Sequence, residues 1–257
     1  MHRREILAGL AASAIMSQST RAAGVPNTFL EIKTWRLHNS AEEQAARVSE
    51  YLGHGLAPAL SRAGAKLAGA FSSDIGPDSP YYLTVTQYSS LAAMQEALSK
   101  VASDEAHQAA LEKLSSGAGL PFVRVESSLL RTFDGMPEPL FPDASSPSAP
   151  RVFELRTYES QSFLTLARKV AMFNNGEMQI FQRLQMRPVF FGETIVGPRQ
   201  PNLTYMLSYD SLAAREKLWG AFAADPEWHK LSVQPQLKDS EIVANIGNAL
   251  LRPLRFQ

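Results

Sequence analysis

The 257-residue chain contains no cysteine. Without a thiol there is no disulfide framework, no thiol nucleophile, no iron–sulfur cluster and no Cys-ligated zinc. An excess of charge of one sign is also missing. Lys and Arg number 25 and Asp and Glu number 25, so no net basic surface points to nucleic acid. No apolar run reaches the ~20 residues that a membrane-crossing helix needs. The histidines after the leader (His38, His54, His107 and His229) form no His-x-x-x-His or Glu-x-x-His pair. Gly-x-Ser-x-Gly, the P-loop and the dinucleotide fingerprint are absent as well, so the sequence calls for no metal and no cofactor. What the chain does have is 45% hydrophobic and 19% charged residues, the balance of a globular protein with a real core.

Residues 1–23 read as a secretory signal. Arg3-Arg4 is followed by an uncharged, largely apolar run from Ile6 to Met16, then polar residues and Arg21-Ala22-Ala23. The arginine pair ahead of Ile6-Leu7 resembles a twin-arginine signal, although His2 stands where Ser or Thr is usual. The expected location is periplasmic or secreted, and removal of the leader leaves a slightly acidic chain.

Sixteen prolines are many, and five of them fall at 137, 139, 142, 147 and 150. Proline lacks an amide donor and restricts the residue before it, so 136–150 is a linker. It separates a first domain, 24–135, from a second, 151–257. The two are copies. Glu31-Ile32-Lys33-Thr34-Trp35 matches Glu154-Leu155-Arg156-Thr157-Tyr158. Tyr88-Ser89-Ser90-Leu91 matches Tyr209-Asp210-Ser211-Leu212, and Leu129-Leu130-Arg131 matches Leu250-Leu251-Arg252. Ordered matches at nearly one spacing signify a tandem duplication. Alternating strand patterns and helical spacings give each copy the order β-α-β-β-α-β, an α+β ferredoxin-like plan. Asn174-Asn175-Gly176 is expected to break or kink the first helix of the second copy. Such a sheet carries its helices on one face and must bury the other against a second sheet.

The second copy, with Phe153 to Tyr158, Phe190-Phe191-Gly192-Glu193, Gly197-Pro198, Pro201 to Met206 and Asp225-Pro226-Glu227-Trp228, resembles the NIPSNAP family. The first copy is the weaker match: His107 stands opposite Trp228 and the Phe-Phe-Gly-Glu run is missing. The resemblance implies tandem dimeric α/β-barrel domains and an exported bacterial protein. It implies no catalytic residues, because the family has none established. The wider superfamily includes cofactor-free monooxygenases, isomerases and haem-handling enzymes.

Glu154, Arg156 and Tyr158 alternate along one strand and share a face. If Phe153 and Leu155 pack on the helices, that trio faces the barrel interior and is a candidate to orient a polar ligand. Glu31, Lys33 and Trp35 occupy the same places in the first copy. The structural alternative has Glu and Arg pairing across strands and Tyr capping the barrel end. Asp225 and Asp104 read as helix N-caps. Phe190, Phe191, Tyr205, Tyr209, Trp219 and Phe222 read as core. The expected activity is binding of a small, partly apolar molecule or a protein partner, with self-association as a further partner class and nucleic acid excluded. The rival is a cofactor-independent oxygenase or isomerase of an aromatic or quinone-like substrate, with Glu154 as base and Arg156 as anion stabiliser. An open lumen with Glu154 raised in pKa favours the rival; a filled lumen favours binding or scaffolding.

Overall fold

The computed structural model describes residues 26–38, 43–143, 146 and 150–256. The expected signal at 1–23 lies outside the described residues. In the first copy β1 (Phe29–Arg36) leads into α1 (Gln44–Glu50), a π-helical turn (Tyr51–Leu56) and α2 (Ala57–Arg62). The hairpin β2 (Lys66–Ile75) and β3 (Tyr81–Tyr88) follows, then α3 (Leu91–Ala102), α4 (Glu105–Ser115) and β4 (Arg124–Thr132). The second copy repeats the order. It runs β5 (Val152–Glu159), α5 (Phe163–Met172), a π-helical turn (Phe173–Glu177), α6 (Met178–Arg183), β6 (Arg187–Val196), β7 (Asn202–Tyr209), α7 (Leu212–Ala223), α8 (Pro226–Ser232), α9 (Asp239–Ile242) and β8 (Asn245–Pro253).

The helices begin where the side chains can cap them. Ser90 and Ser211 accept from the Ala93 and Ala214 amides, and Ser162 and Thr165 form a reciprocal capping box. Asp104 and Asp225 cap α4 and α8. Equivalent arginines, Arg62 and Arg183, hold those two caps with paired hydrogen bonds. Asn174-Asn175-Gly176 does not end its helix. The backbone widens into the π-helical turn and continues as α6, as it does at Gly53-His54-Gly55 in the first copy. A side chain on Gly53 would collide with Phe256, whose ring packs there.

The eight strands close into one antiparallel barrel in the order β1-β3-β2-β8-β5-β7-β6-β4. Its two halves join at two seams. One runs from Phe71↔Pro253 to Ile75↔Leu250 and the other from Leu129↔Val196 to Thr132↔Gly192. The cyclic order maps onto itself when shifted by four strands, so a pseudo-twofold axis runs along the barrel. Equivalent bulges, at Leu67/Gly69 and Pro188/Phe190, bend the strands that make the seams. One chain therefore supplies both sheets.

Three cores result. Trp35, Val48, Leu52, Leu60 and Tyr88 pack helices on sheet in the first copy, and Leu166, Phe173, Phe181, Phe191 and Tyr205 do so in the second. The third fills the lumen with Leu30, Ile32, Leu83, Val85, Phe153, Phe190, Met206 and Leu251, drawn from both copies. An eight-stranded barrel has room for side chains and little else.

Candidate functional site

The lumen reverses one expectation. Phe153 and Leu155 point into it, and Glu154, Arg156 and Tyr158 lie on the opposite face, between sheet and helices. The physical reason is closure. A lumen enclosed by two sheets is the driest place in the molecule, so the apolar alternate of β5 goes there. The helix-covered face can satisfy charge with side chains from α7.

Glu154 is fully buried and accepts from five donors. Arg156 and Arg215 donate to Oε1 at 2.9 and 2.6 Å. Tyr209, Arg215 and Trp219 donate to Oε2 at 3.1, 2.9 and 2.8 Å. Burial alone would raise this carboxyl. The hydrogen bonds from Arg215 and Trp219, with the charges of Arg156 and Arg215, outweigh it and hold the group at about 2. A carboxylate so engaged has no lone pair left for a substrate proton, so it is not placed to act as the base. The Glu154–Arg156 pair runs along one strand, not across two, and Tyr158 lies under the helices, not at the barrel end.

Arg156 continues the network. Its guanidinium stacks 4.5 Å from the Trp219 ring and donates to the Tyr158 hydroxyl at 3.1 Å, which also accepts from Tyr205 at 2.9 Å. Nε of Arg156 has no partner. Beyond Tyr158 lies a second buried pair, Lys169 and Glu177, 3.1 Å apart and 1% and 2% exposed. Asp239 approaches the same ammonium at 3.6 Å. Burial pushes the Glu177 carboxyl up, whereas Lys169, facing two carboxyls, keeps its proton despite its own burial.

In the first copy the corresponding cluster is thin. Glu31 accepts from Tyr88 at 3.3 Å and Ser127 at 3.0 Å and pairs with Lys33 at 3.2 Å. Trp35 fills the place of Tyr158, donating to Thr84. The sequence reading gathered Glu154, Arg156 and Tyr158 correctly and took Tyr205, Tyr209 and Trp219 as core. It missed Arg215, Lys169 and Glu177. Their signal was a comparison between the copies: Met94, Val48 and Leu56 stand 121 positions earlier, so three sites apolar in the first copy are charged in the second.

Space for a ligand lies elsewhere, at the barrel end where β2, β5 and β6 start. The linker crosses this mouth. Leu140 donates to the Val189 carbonyl at 2.7 Å, and Phe141 approaches Phe190 with ring centres 6.1 Å apart. Phe141 also spans to β2, where a Cβ on Gly69 would meet its ring at 2.7 Å. Past Phe141, a cavity of about 770 Å³ opens between β2, the linker and the residues after β8. Its floor is the pair Phe71 and Phe153, with ring centres 4.8 Å apart, which belongs to the lumen core. Among the described residues, no cluster of His, Asp and Glu could hold a metal ion, and no helix is long and apolar enough to cross a membrane.

This architecture is that of a single-chain α/β barrel made from two ferredoxin-like domains. The NIPSNAP family model matches residues 30–133 and 153–257, and the chain belongs to the NIPSNAP family. No curated protein matches. The fold is similar to a monooxygenase candidate from Lactobacillus acidophilus, with a TM-score of 0.56 and 10% identity, covering 89% of this chain and 95% of that one. It is also similar to an anthrone oxidase-like protein, with a TM-score of 0.51 and 11% identity, covering 89% and 92%. A NIPSNAP-like domain protein from Burkholderia xenovorans is 21% identical over 41% of this chain and 87% of that one, with a TM-score of 0.36.

Proposed function

We propose that this NIPSNAP-family protein binds a small, partly apolar molecule in the cavity at the barrel mouth. The observation that carries the reading is the cavity itself. At about 770 Å³ it falls within the roughly 300–1,000 Å³ of ligand pockets, and its floor is aromatic. The rest of the lumen is packed, and the polar cluster around Glu154 is buried and, Arg156 Nε apart, satisfied by its own members, so neither competes as a receptor. The rival oxygenase or isomerase loses its proposed base for the reason given above.

The test uses N-phenyl-1-naphthylamine, a neutral fluorescent probe. Saturable one-to-one binding is expected, abolished by Ala68→Trp, which places a bulky ring on a wall residue. Retention of binding by a folded Ala68→Trp protein would move the site elsewhere. We also propose that the protein acts after export, on the strength of Arg3-Arg4 and the short apolar run. The variant Arg3→Lys with Arg4→Lys is expected to retain precursor in the cytoplasm; unchanged export that stops when the general secretory route is blocked would overturn it.

A further inference from the structure

The mouth cavity is apolar at its base and cationic at its rim. Phe71, Phe153 and Phe141 form the inner part, and Lys66 and Arg255 stand on the outer walls, one at the start of β2 and one after β8. Both are exposed, and neither has an ion-pair partner among the described residues. That sets them apart from many of the chain's arginines, which are paired: Arg36 with Glu126, Arg62 with Asp104, Arg183 with Asp225 and Arg252 with Asp74. The one carboxylate on the lining, Asp143, is already engaged. The two seams differ here: Arg187, the counterpart of Lys66, also borders a cavity, of about 590 Å³, but is paired with Asp210. At β6, Leu140 of the linker lies along the strand. The equivalent stretch of β2, Lys66 to Gly69, instead borders the cavity, and only Leu254, donating to the Ala70 carbonyl at 2.8 Å, reproduces the contact that Phe133 makes with Phe191.

From this gradient we propose that the ligand is an amphiphilic anion. An aromatic or alkyl body rests against Phe71, Phe153 and Phe141, and a carboxylate, sulfonate or comparable monoanionic head lies at the rim between Lys66 and Arg255. The inference rests on the mouth cavity being the binding site and adds the charge of what enters it. A body that displaces water from three phenyl faces supplies the affinity. The paired cations select the head and orient it outward, where it keeps part of its hydration. Two exposed ion pairs of this kind together contribute about 1.4 kcal/mol, which is roughly tenfold in affinity.

The experiment compares two probes that differ only in the head. 1-Anilinonaphthalene-8-sulfonate is N-phenyl-1-naphthylamine with a sulfonate added. Titrated calorimetrically into the full-length protein, the sulfonate is expected to bind about tenfold more tightly. The difference should shrink as salt rises. The variant Lys66→Ala with Arg255→Ala should bring the two probes to equal affinity and leave the neutral one unchanged. Equal binding of both probes by the unaltered protein, or a preference that survives the double variant, overturns the anion proposal while the cavity reading stands. Loss of the neutral probe in a double variant that melts normally also overturns it, because the cations would then be shaping the cavity and not reading a charge. Failure of both probes to bind removes the cavity reading, and this inference with it.

Discussion

The two copies place a glutamate at the same position on the same strand and treat it differently. Glu31 has two hydroxyl donors and a partly exposed lysine. Glu154 has two arginines, an indole and a phenol, and is fully buried. Near it, Arg215, Lys169 and Glu177 stand where the first copy has the apolar Met94, Val48 and Leu56. The second copy thus carries a charged network where the first carries ordinary helix-on-sheet packing. The scaffold that both inherit, with its N-cap aspartates, their arginines, the bulges and the π-helical turns, did not need to change. Duplicated copies can differ in buried charge provided each charge has its partner, because an unpaired one is too costly to keep.

The sharpest way to break the comparison is to separate the copies. Each sheet hides its lumen face only against the other, and both seams join one copy to the other. Residues 151–257 expressed alone are expected to dimerise or aggregate, since a bare apolar face of that size does not stay monomeric. A soluble, well-folded monomeric half by sedimentation would show that the lumen is not what holds the fold together.

Next come the two glutamates. Glu154→Leu leaves Arg156 buried without its counter-ion, and the expected loss is about 3–5 kcal/mol. Glu31→Leu removes weaker contacts, and Lys33 can turn to water, so about 1–2 kcal/mol is expected. Urea unfolding of the two variants measures the ratio. Equal losses would mean that the richer network of the second copy contributes nothing extra.

Acid should test the setting of Glu154 directly. Glu154 is held at about 2, below the ordinary glutamate value that the unfolded chain would show. A group with a depressed folded-state pKa contributes its stabilisation fully above the unfolded value and loses it as pH falls through the folded one. The loss therefore develops from about pH 5 down to about pH 2 and amounts to about 3 kcal/mol. Other carboxylates titrate in this range too, so the measurement is a difference. The Glu154→Gln protein should lose less stability between pH 6 and pH 3 than the unaltered chain. Parallel curves for Glu154→Gln and the unaltered protein would contradict the depressed value.

Much of this was legible beforehand. Strand alternation, the repeated Glu-x-basic-x-aromatic pattern, the proline-rich connection and the capping aspartates follow from local chemistry, and the ferredoxin-like order follows from them. The side of the sheet that Glu154 faces was not legible. Alternation divides β5 into Phe153 and Leu155 on one face and Glu154, Arg156 and Tyr158 on the other, but it does not say which face meets helices. That is decided by barrel closure, a property of both copies together. The partners Arg215, Lys169 and Glu177 sit 11 or more residues from the trio in sequence and belong to helical segments whose docking fixes the contact. The mouth cavity was the least legible feature, because the linker, β2 and the residues after β8 meet there only once the seams have formed.

The smallest expected effect is the most informative about how the second copy diverged. Lys169 lies on the buried stripe of α5, one turn below Phe173, with its ammonium 5.1 Å from that ring and 5.4 Å from the ring of Tyr158. Removing it alone, as Lys169→Val, leaves Glu177 without its donor, and an expected loss of about 3–5 kcal/mol follows. Removing Glu177 alone, as Glu177→Leu, leaves Asp239 as the lysine's counter-ion, so the loss should be smaller. The double variant Lys169→Val with Glu177→Leu restores the residues of the first copy, Val48 and Leu56. A buried pair often breaks even against apolar residues of similar volume, so a net change within about 1 kcal/mol is expected, less whatever cavity the shorter valine leaves. A double-mutant cycle in urea reads the coupling directly. Strong coupling with a nearly neutral double variant marks the pair as an exchangeable replacement for core packing. Additive losses would show instead that Lys169 and Glu177 each hold something other than one another, with Tyr158 and Asp239 the groups within reach.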